Sequence, residues 1–583
     1  MASRAMVFAR RYPRVEEREL VKAVLGVLGA VIVLGAAFGG YMVAQYRLPP
    51  YQLIRAMELP LRDMFREVVV ETVEPETRAD IETALLSLRP DSVKIPVDRA
   101  GAGGGLTSVG DTVVLMTHEG KLFAARSSQD VELLPIELPD NGYDEYAAAV
   151  LSPEYRDLLH KLEDYRDNDI AFIDAAGGKS LLASYTEYDG AAECYTGTVA
   201  RLMLDPGMTD IREVEATAED WEIIYRTTPC LPLKSQCRAL EAQFAGGRMA
   251  FAEPSTVYLS VGDYGWDGEC SDTQLARDRS NHYGKVIAID LETGENRITS
   301  IGHRNMQGIA VADGGRVWAV EHGPRGGDEL NLIAEGGDYG WPDDTLGTAY
   351  DLSPWPFARS AYGRHDAFTE PVLAWLPSIA PSTLAVIRDF DPAWEGDLLV
   401  GTLREQSLYR IRLSGEAVTY VEQIWYGKRI RAVIEHTDGR IVVWSDDKSL
   451  TFLSPIRLPY EADFLTEYFD GPGSAVPAAR QAMVTCIQCH SLQPGEDSGA
   501  PSLAEIHGAG IAATGYANYS AGLSAIEGSW TDANLVRYLR SPDEFAQGTT
   551  MPDPGIDDPA VIEEIVRFLG ALRVSGAEGD GAG

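Results

Sequence analysis

The longest apolar run comes first. Residues Ala23 to Ala44 read AVLGVLGAVIVLGAAFGGYMVA, without a charge. As a helix at about 1.5 Å per residue this spans roughly 30 Å, the hydrocarbon thickness of a bilayer. Pro49 and Pro50 stop it, and Tyr41 and Tyr46 fall at its outer end, so a transmembrane helix over 23–46 is expected. The stub 1–22 holds six basic and three acidic residues, which places it in the cytoplasm. The expectation is a single pass through the inner membrane, with the bulk of the chain periplasmic. A cleaved signal peptide is the competing reading, but its apolar core is usually only about 7–15 residues. Gly35/Gly39 and Ala36/Gly40 are small-residue pairs that would let another membrane helix pack closely.

Beyond this run the period changes twice. Arg55–Glu67 and Arg78–Leu88 carry helical patterning broken by Pro60, Pro75 and Pro90, so 47–95 reads as a stalk. From 96 to 456 short β-rich runs dominate, among them Thr112–Met116, Val257–Val261, Val286–Asp290, Arg316–Val320, Asp397–Val400 and Arg440–Trp444. So many short strands between turn residues predict a mainly β sandwich or propeller. The stretch 150–168 reads as an inserted charged helix. Gly471-Pro472-Gly473-Ser474 marks a linker over 457–476. Thereafter the pattern is helical. Thr531 caps a helix to about Ser541, and Asp557, Asp558 and Pro559 open another with Ile562, Ile565, Val566, Leu569 and Leu572 on one face. This predicts an all-α domain over 477–575 and a disordered Gly/Ala/Asp-rich tail at 576–583.

Charge narrows the function. The chain has 88 acidic and 50 basic residues, a formal charge of −38, which argues against a nucleic-acid binder and for cationic partners. Of six cysteines, Cys194, Cys230, Cys237 and Cys270 form an even set in a chain expected to face an oxidising space, so two disulfides are expected. Three connectivities exist. Cys230–Cys237 with Cys194–Cys270 is preferred, because the first closes a short loop around Pro232. Four reduced thiols are the alternative.

The other two stand in Cys486-Ile487-Gln488-Cys489-His490, the C-x-x-C-H pattern of covalent haem attachment. The two thiols bind the haem and His490 takes the iron. A thioether as second axial ligand raises the potential for electron transfer, and Met551 lies downstream in Gly-Thr-Thr-Met-Pro. His507 is a competing ligand. The region resembles a class I cytochrome c at Cys486–His490, Gly499–Leu503, Tyr519-Ser520, Trp530–Leu535 and Met551-Pro552. The resemblance implies that the Pro501 carbonyl accepts from the non-ligating nitrogen of His490, and that Tyr519 and Trp530 approach the haem propionates. Ala500 is an insertion in the family's Gly-Pro-x-Leu pattern. Residues 477–583 hold five basic and fourteen acidic residues, so a basic soluble cytochrome is a natural electron partner.

Residues 302–342 read GHRNMQGIAVADGGRVWAVEHGPRGGDELNLIAEGGDYGWP. They resemble the soluble quinoprotein glucose/sorbosone dehydrogenases, the aldose sugar dehydrogenases in particular. Ala245–Phe251, Tyr258–Asp263, Ile379–Ser382, Gly396–Arg404 and Arg429–Val433 add to the likeness. It implies a six-bladed β-propeller with pyrroloquinoline quinone (PQQ) over its axis. PQQ carries three carboxylates and an ortho-quinone, so its site wants guanidinium groups and a hard cation. By position Arg304, Asn305, Arg404, Arg429 and Arg431 would meet PQQ. The carbonyls of Gly323 and Pro324 would hold its calcium, and Asp328 and Glu329 belong to a segment associated with a second calcium.

One departure matters. The family's general base is the histidine of His-x-Gly-Gly-Arg, and here Phe244 stands in its place before Ala245-Gly246-Gly247-Arg248. Phenylalanine takes no proton, and a general base contributes about 10²–10⁴-fold. Glu241, Gln243, His118, His322 and His365 are the candidates for a replacement. Two functions follow. The first is a membrane-anchored quinohaemoprotein that oxidises a sugar or other alcohol with PQQ and passes electrons through its haem to an external cytochrome or oxidase. The second is an inactive propeller serving as docking or assembly platform and electron-transfer subunit within a respiratory or photosynthetic membrane complex.

Overall fold

The computed structural model describes residues 72–577, except 100, 156–161, 176, 236–238, 241, 270, 361–363, 457–464, 466–467, 470–475, 488, 493–499, 505 and 557. The expected stub, membrane helix and most of the stalk, linker and tail lie outside these residues, as do Cys237, Cys270 and Glu241. Among the described residues no helix is long and apolar enough to cross a membrane. The chain falls into two units. One holds Val68–Gly347 and Trp355–Gly583; the other is described only over Thr348–Pro354, a turn.

The first unit contains six antiparallel sheets, each of four or more strands. Their inner strands are Gly105–Val109, Asp167–Ala175, Gly246–Ala252, Met306–Ala312, Pro381–Val386 and Ile430–Glu435. These pack side by side in chain order, and the last returns to the first, which makes a six-bladed propeller. Each of the six short runs expected as strands overlaps a strand. Their side chains are buried on both faces, as in Thr112–Met116 and Leu398–Thr402, because each blade is covered by its neighbours. Val113, Leu115 and Phe123 of the first blade meet Val442, Trp444 and Phe452 of the sixth in this way.

The sixth blade is closed from upstream. Ser87–Lys94 pairs with Ser449–Pro455, in register from Lys94↔Ser449 to Leu88↔Pro455. Arg78–Leu88 is therefore not helical. It holds the strand Ile81–Glu82 and the start of Ser87–Lys94, because Ile81, Leu86 and Leu88 bury against Trp394, Ile424 and Leu453. The inserted helix is also displaced. Helix α1 is Tyr143–Val150, where Tyr146 and Val150 share the buried face, and the described part of 151–166 holds turns and a single 3₁₀ turn at Leu162–Asp164 before the strand Asp167–Ala175. Pro153, with no N–H to donate, stands where a continuation would run.

The preferred disulfide pairing is overturned. Cys194 bonds Cys230, with their Cα atoms 5.6 Å apart. Cys194 opens the strand Cys194–Met203, and Leu231-Pro232 pairs with it, so sheet register sets the two thiols together.

The C-terminal domain is built on helices α2 (Pro477–Cys486), α3 (Asp532–Arg540) and α4 (Pro559–Ala577). Thr531 caps α3 by accepting from the Asn534 N–H, and Ile562, Ile565, Val566, Leu569 and Leu572 of α4 enter one core with Leu535 and Leu539. Strand polarity locates this domain. All inner strands start at one face of the propeller and end at the other. Ser449–Pro455 runs with Ile430–Glu435, so the chain leaves at the far face. There α2 packs near Pro392–Trp394, and Cys489 Sγ lies 3.7 Å from the Ala84 carbonyl, just before Ser87–Lys94.

Candidate functional sites

The first site is a cavity of about 400 Å³ in the helical domain. Cys486, Cys489, His490 and Met551 all line it, among Leu503, Leu523, Leu535, Leu539, Ile565 and Leu569. The end of α2 presents the two thiols. Burial, and then Cys489, push the Cys486 thiol up to about 12, and burial alone raises Cys489. His490 Nδ1 lies 2.7 Å from the Pro501 carbonyl, which leaves Nε2 as the nitrogen available to a metal. Burial lowers the imidazole's pKa, so it is neutral, as a ligand must be. Trp530 lines the cavity with its Nε1 buried and, among the described residues, without a hydrogen-bond partner. Tyr519 also lines it, 2.5 Å from Thr514 Oγ1. His507 lies 2.6 Å from Asp532 instead. An apolar cavity bearing two thiols, an imidazole, a thioether and an orphaned indole N–H fits a covalently held haem.

The second site lies on the propeller axis, where the inner strands begin. Its centre is Arg248. This guanidinium donates to the carbonyls of Gln307 (3.2 Å), Gly104 (2.9 Å), Asn168 (3.1 Å), Ser382 (3.3 Å) and Arg431 (2.7 Å), and to Asp169 Oδ1 (3.3 Å). Those partners belong to or adjoin the inner strands of the five other blades. Gly247 makes room for this, because a Cβ there would stand 2.6 Å from the Asn168 side chain. Thus Gly-Gly-Arg is first an axial hub.

Around the hub, Arg429 and Arg431 share Asp446, with Arg429 Nε 2.7 Å and Arg431 Nη2 3.1 Å from Oδ2. Burial alone would raise this carboxyl, but Arg431 and Arg429 hold it well below the usual carboxylate range. Arg304 donates to Gly323 O at 3.2 Å, and its backbone N–H donates to Glu321. Asn305 donates to Gln243 O and accepts from Gln307 at 2.7 Å. Arg304, Asn305, Arg429 and Arg431 thus gather at the axial mouth. Arg404 does not join them; its side chain is 58% exposed, beside Glu405.

Phe244 faces this group. Its ring lies 4.6 Å from the Arg304 guanidinium carbon, and Trp341 lies at 5.2 Å. The aromatic ring expected at the base position therefore faces a cation. Among the proposed replacements, burial and then Lys448 and Arg99 lower His118 to about 2, which makes it a poor base. His322 Nε2 lies 2.6 Å from Pro381 O, and burial lowers its pKa too. His365 is buried against Gly340.

The calcium positions are otherwise engaged. Gly323 O accepts from Arg304. Asp328 accepts from Gly323 N, Ser378 Oγ, Ile379 N and Ala380 N. Burial and then Glu321 push the Glu329 carboxyl well above its usual range. Among the described residues no group of three or more His, Cys, Asp or Glu gathers as a metal centre would.

Sequence reasoning missed Arg166, Asp446 and the hub role of Arg248. Arg248 was visible inside its motif. Nothing local marks Arg166 or Asp446, whose roles arise only when distant blades meet.

Both halves have relatives. Residues 174–454 match the family model for Glucose / Sorbosone dehydrogenase. The aldose sugar dehydrogenase YliI of Escherichia coli (strain K12) is 32% identical over 222 residues, 35% of this chain and 57% of that protein. Quinoprotein glucose dehydrogenase B of Acinetobacter calcoaceticus is 27% identical over 292 residues, 35% of this chain and 61% of that protein. A cytochrome c homolog of Rickettsia bellii is 35% identical over 91 residues, 15% of this chain and 53% of that protein. The chain thus spans little more than half the length of these curated relatives. It joins a six-bladed propeller similar to the glucose/sorbosone dehydrogenases to a C-terminal domain similar to cytochrome c homologs.

Proposed function

We propose that the protein is a quinohaemoprotein oxidoreductase that oxidises a sugar or other alcohol and releases single electrons to an external cytochrome or oxidase. The observation that carries this reading is the presence, on one chain, of a cavity lined by Cys486, Cys489, His490 and Met551 and an axial mouth lined by Arg304, Asn305, Arg429 and Arg431. Haem c, when bound, supplies a one-electron iron couple, and PQQ, when bound, accepts two electrons as a quinone. The protein's part is to hold them. Cys486 and Cys489 would attach the haem, and His490, oriented by Pro501, and Met551 would ligate its iron. Trp530 and Tyr519 would face it from the cavity wall. Arg304, Arg429 and Arg431 would neutralise the quinone's carboxylates, with Asn305 beside them as an uncharged donor. No step is derived through calcium.

The chain is anchored by 23–46 with its bulk in the periplasm; the Cys194–Cys230 bond supports an oxidising compartment. No nucleic acid is a partner. A second reading is favoured by Phe244, which occupies the base position and stacks on Arg304. In it the propeller is an inactive platform, and the protein is an electron-transfer subunit of a membrane complex.

The test is to purify the full chain from cells that attach haem c and titrate it with PQQ, following tryptophan fluorescence. The quinohaemoprotein reading expects saturable micromolar or tighter binding that Arg304→Ala weakens. Absence of binding would leave the platform reading.

A further inference from the structure

Arg166 is 4% exposed and precedes the inner strand Asp167–Ala175 at the axial mouth. It crosses Gly103, where a Cβ would stand 2.5 Å from Arg166 Cδ. Its partners are both neutral and both distant: Nη1 donates to Ala102 O at 3.3 Å and Nη2 to Gln307 Oε1 at 3.4 Å. Among the described residues no carboxylate lies within ion-pair distance of it. The neighbouring cations are better served. Arg248 pairs with Asp169, and Arg429 and Arg431 with Asp446. Lys448 donates to Gly101 O. Arg166, Arg248, Arg304, Arg429, Arg431 and Lys448 thus cluster at this end of the axis, and Arg166 meets Asp164 and Asp446 only beyond ion-pair distance.

A buried charge without a counter-ion costs several kcal/mol. Burial, and then Arg431, bring the Arg166 guanidinium down to about 9, so the group still carries its charge at neutral pH. Gln307, which accepts from Arg166, donates to Asn305 Oδ1 at 2.7 Å. This links Arg166 to the Arg304–Asn305 pair.

We infer that Arg166 is a further ligand-contacting residue of the axial mouth, and that the missing counter-charge is a compact polycarboxylate rather than a neutral sugar or a monoanion. The inference rests on reading the axial mouth as a cofactor site. It extends that reading to a residue in a different blade from Arg304, Arg429 and Arg431.

The test uses the haem-loaded full chain, its thermal unfolding and its affinity for PQQ, benzene-1,3,5-tricarboxylate, benzoate and glucose. Arg166→Gln should raise the unfolding temperature of the ligand-free protein, because it removes an unbalanced charge. It should also weaken binding of PQQ and the tricarboxylate by roughly tenfold to a hundredfold, the worth of a lost charge-assisted contact. Arg166→Lys should keep most of the affinity. Benzoate and glucose should bind weakly and without regard to Arg166. If Arg166→Gln unfolds at lower temperature and binds as tightly as the parent, Arg166 is a structural cation and the inference fails. If Arg166→Gln does not fold, Arg166→Lys decides, since a folded variant that has lost affinity as completely as Arg304→Ala contradicts a charge role. Tricarboxylate binding that depends on Arg166, without PQQ binding, would uphold the inference and sink the quinone reading. Binding of neither would sink both.

Discussion

Two residues carry most of the argument at the finest scale. Phe244, expected at the position of the family's proton acceptor, presents a ring whose centroid lies 4.6 Å from the Arg304 guanidinium carbon. Phe244→His should raise substrate-driven haem reduction in PQQ-loaded protein by about 10²–10⁴-fold, the usual worth of a positioned base. No gain in a variant that binds PQQ normally would show that the mouth lacks more than a base. Arg248 is the other. Arg248→Met should destabilise the propeller by about 3–5 kcal/mol, read as a fall in the urea midpoint, because five carbonyls and Asp169 lose a common donor. That Cys486, Cys489, His490 and Met551 would share one cavity was legible in the sequence, because three of them stand in one contiguous motif and the fourth stands in a short turn. The axial residues were legible only in part. Arg304, Asn305, Arg429 and Arg431 sit in recognisable runs, whereas Arg166 gains meaning from Gly103 and Gln307, far away in the chain.

At the scale of elements, short β runs were readable because alternation and turn residues are local. The upstream strand Ser87–Lys94 was not, since its partner Ser449–Pro455 is more than 350 residues on. The Cys194–Cys230 bond was missed for the same reason, as sheet register chose the pair. Replacing both cysteines by alanine should lower stability by about 2–4 kcal/mol, measured by chemical unfolding with the thiols blocked. A pH effect belongs to the loop after Thr256–Val261. Burial and then Asp267 push Asp263 up to about 7. A carboxyl raised on folding stabilises most below its unfolded value, and that contribution is lost as pH rises through 7. The unfolding temperature should therefore fall between pH 5 and pH 8. Asp267→Asn should flatten that fall, and an unchanged slope would remove the pair from the account.

At the scale of the molecule, the two sites lie toward opposite faces. The arginines stand where the inner strands begin, and Cys489 lies beyond their far ends. Seven residues of Ser449–Pro455 at about 3.3 Å each put roughly 20 Å of propeller between them. Electron tunnelling weakens steeply with distance, so a haem held against its own far face is a slow acceptor for its own axial mouth. Haem reduction should therefore quicken per chain as protein concentration rises, as expected when the acceptor is the haem of another molecule. A rate independent of concentration would point to transfer within the chain. The central claim is that the propeller oxidises a substrate and the haem carries the electrons away. The most direct measurement is the haem absorbance of the PQQ-loaded full chain as aldoses and simple alcohols are added without oxygen. The account predicts reduction by at least one of them, dependent on PQQ and lost in Arg304→Ala. Bound PQQ with a haem that stays oxidised for every substrate would contradict it.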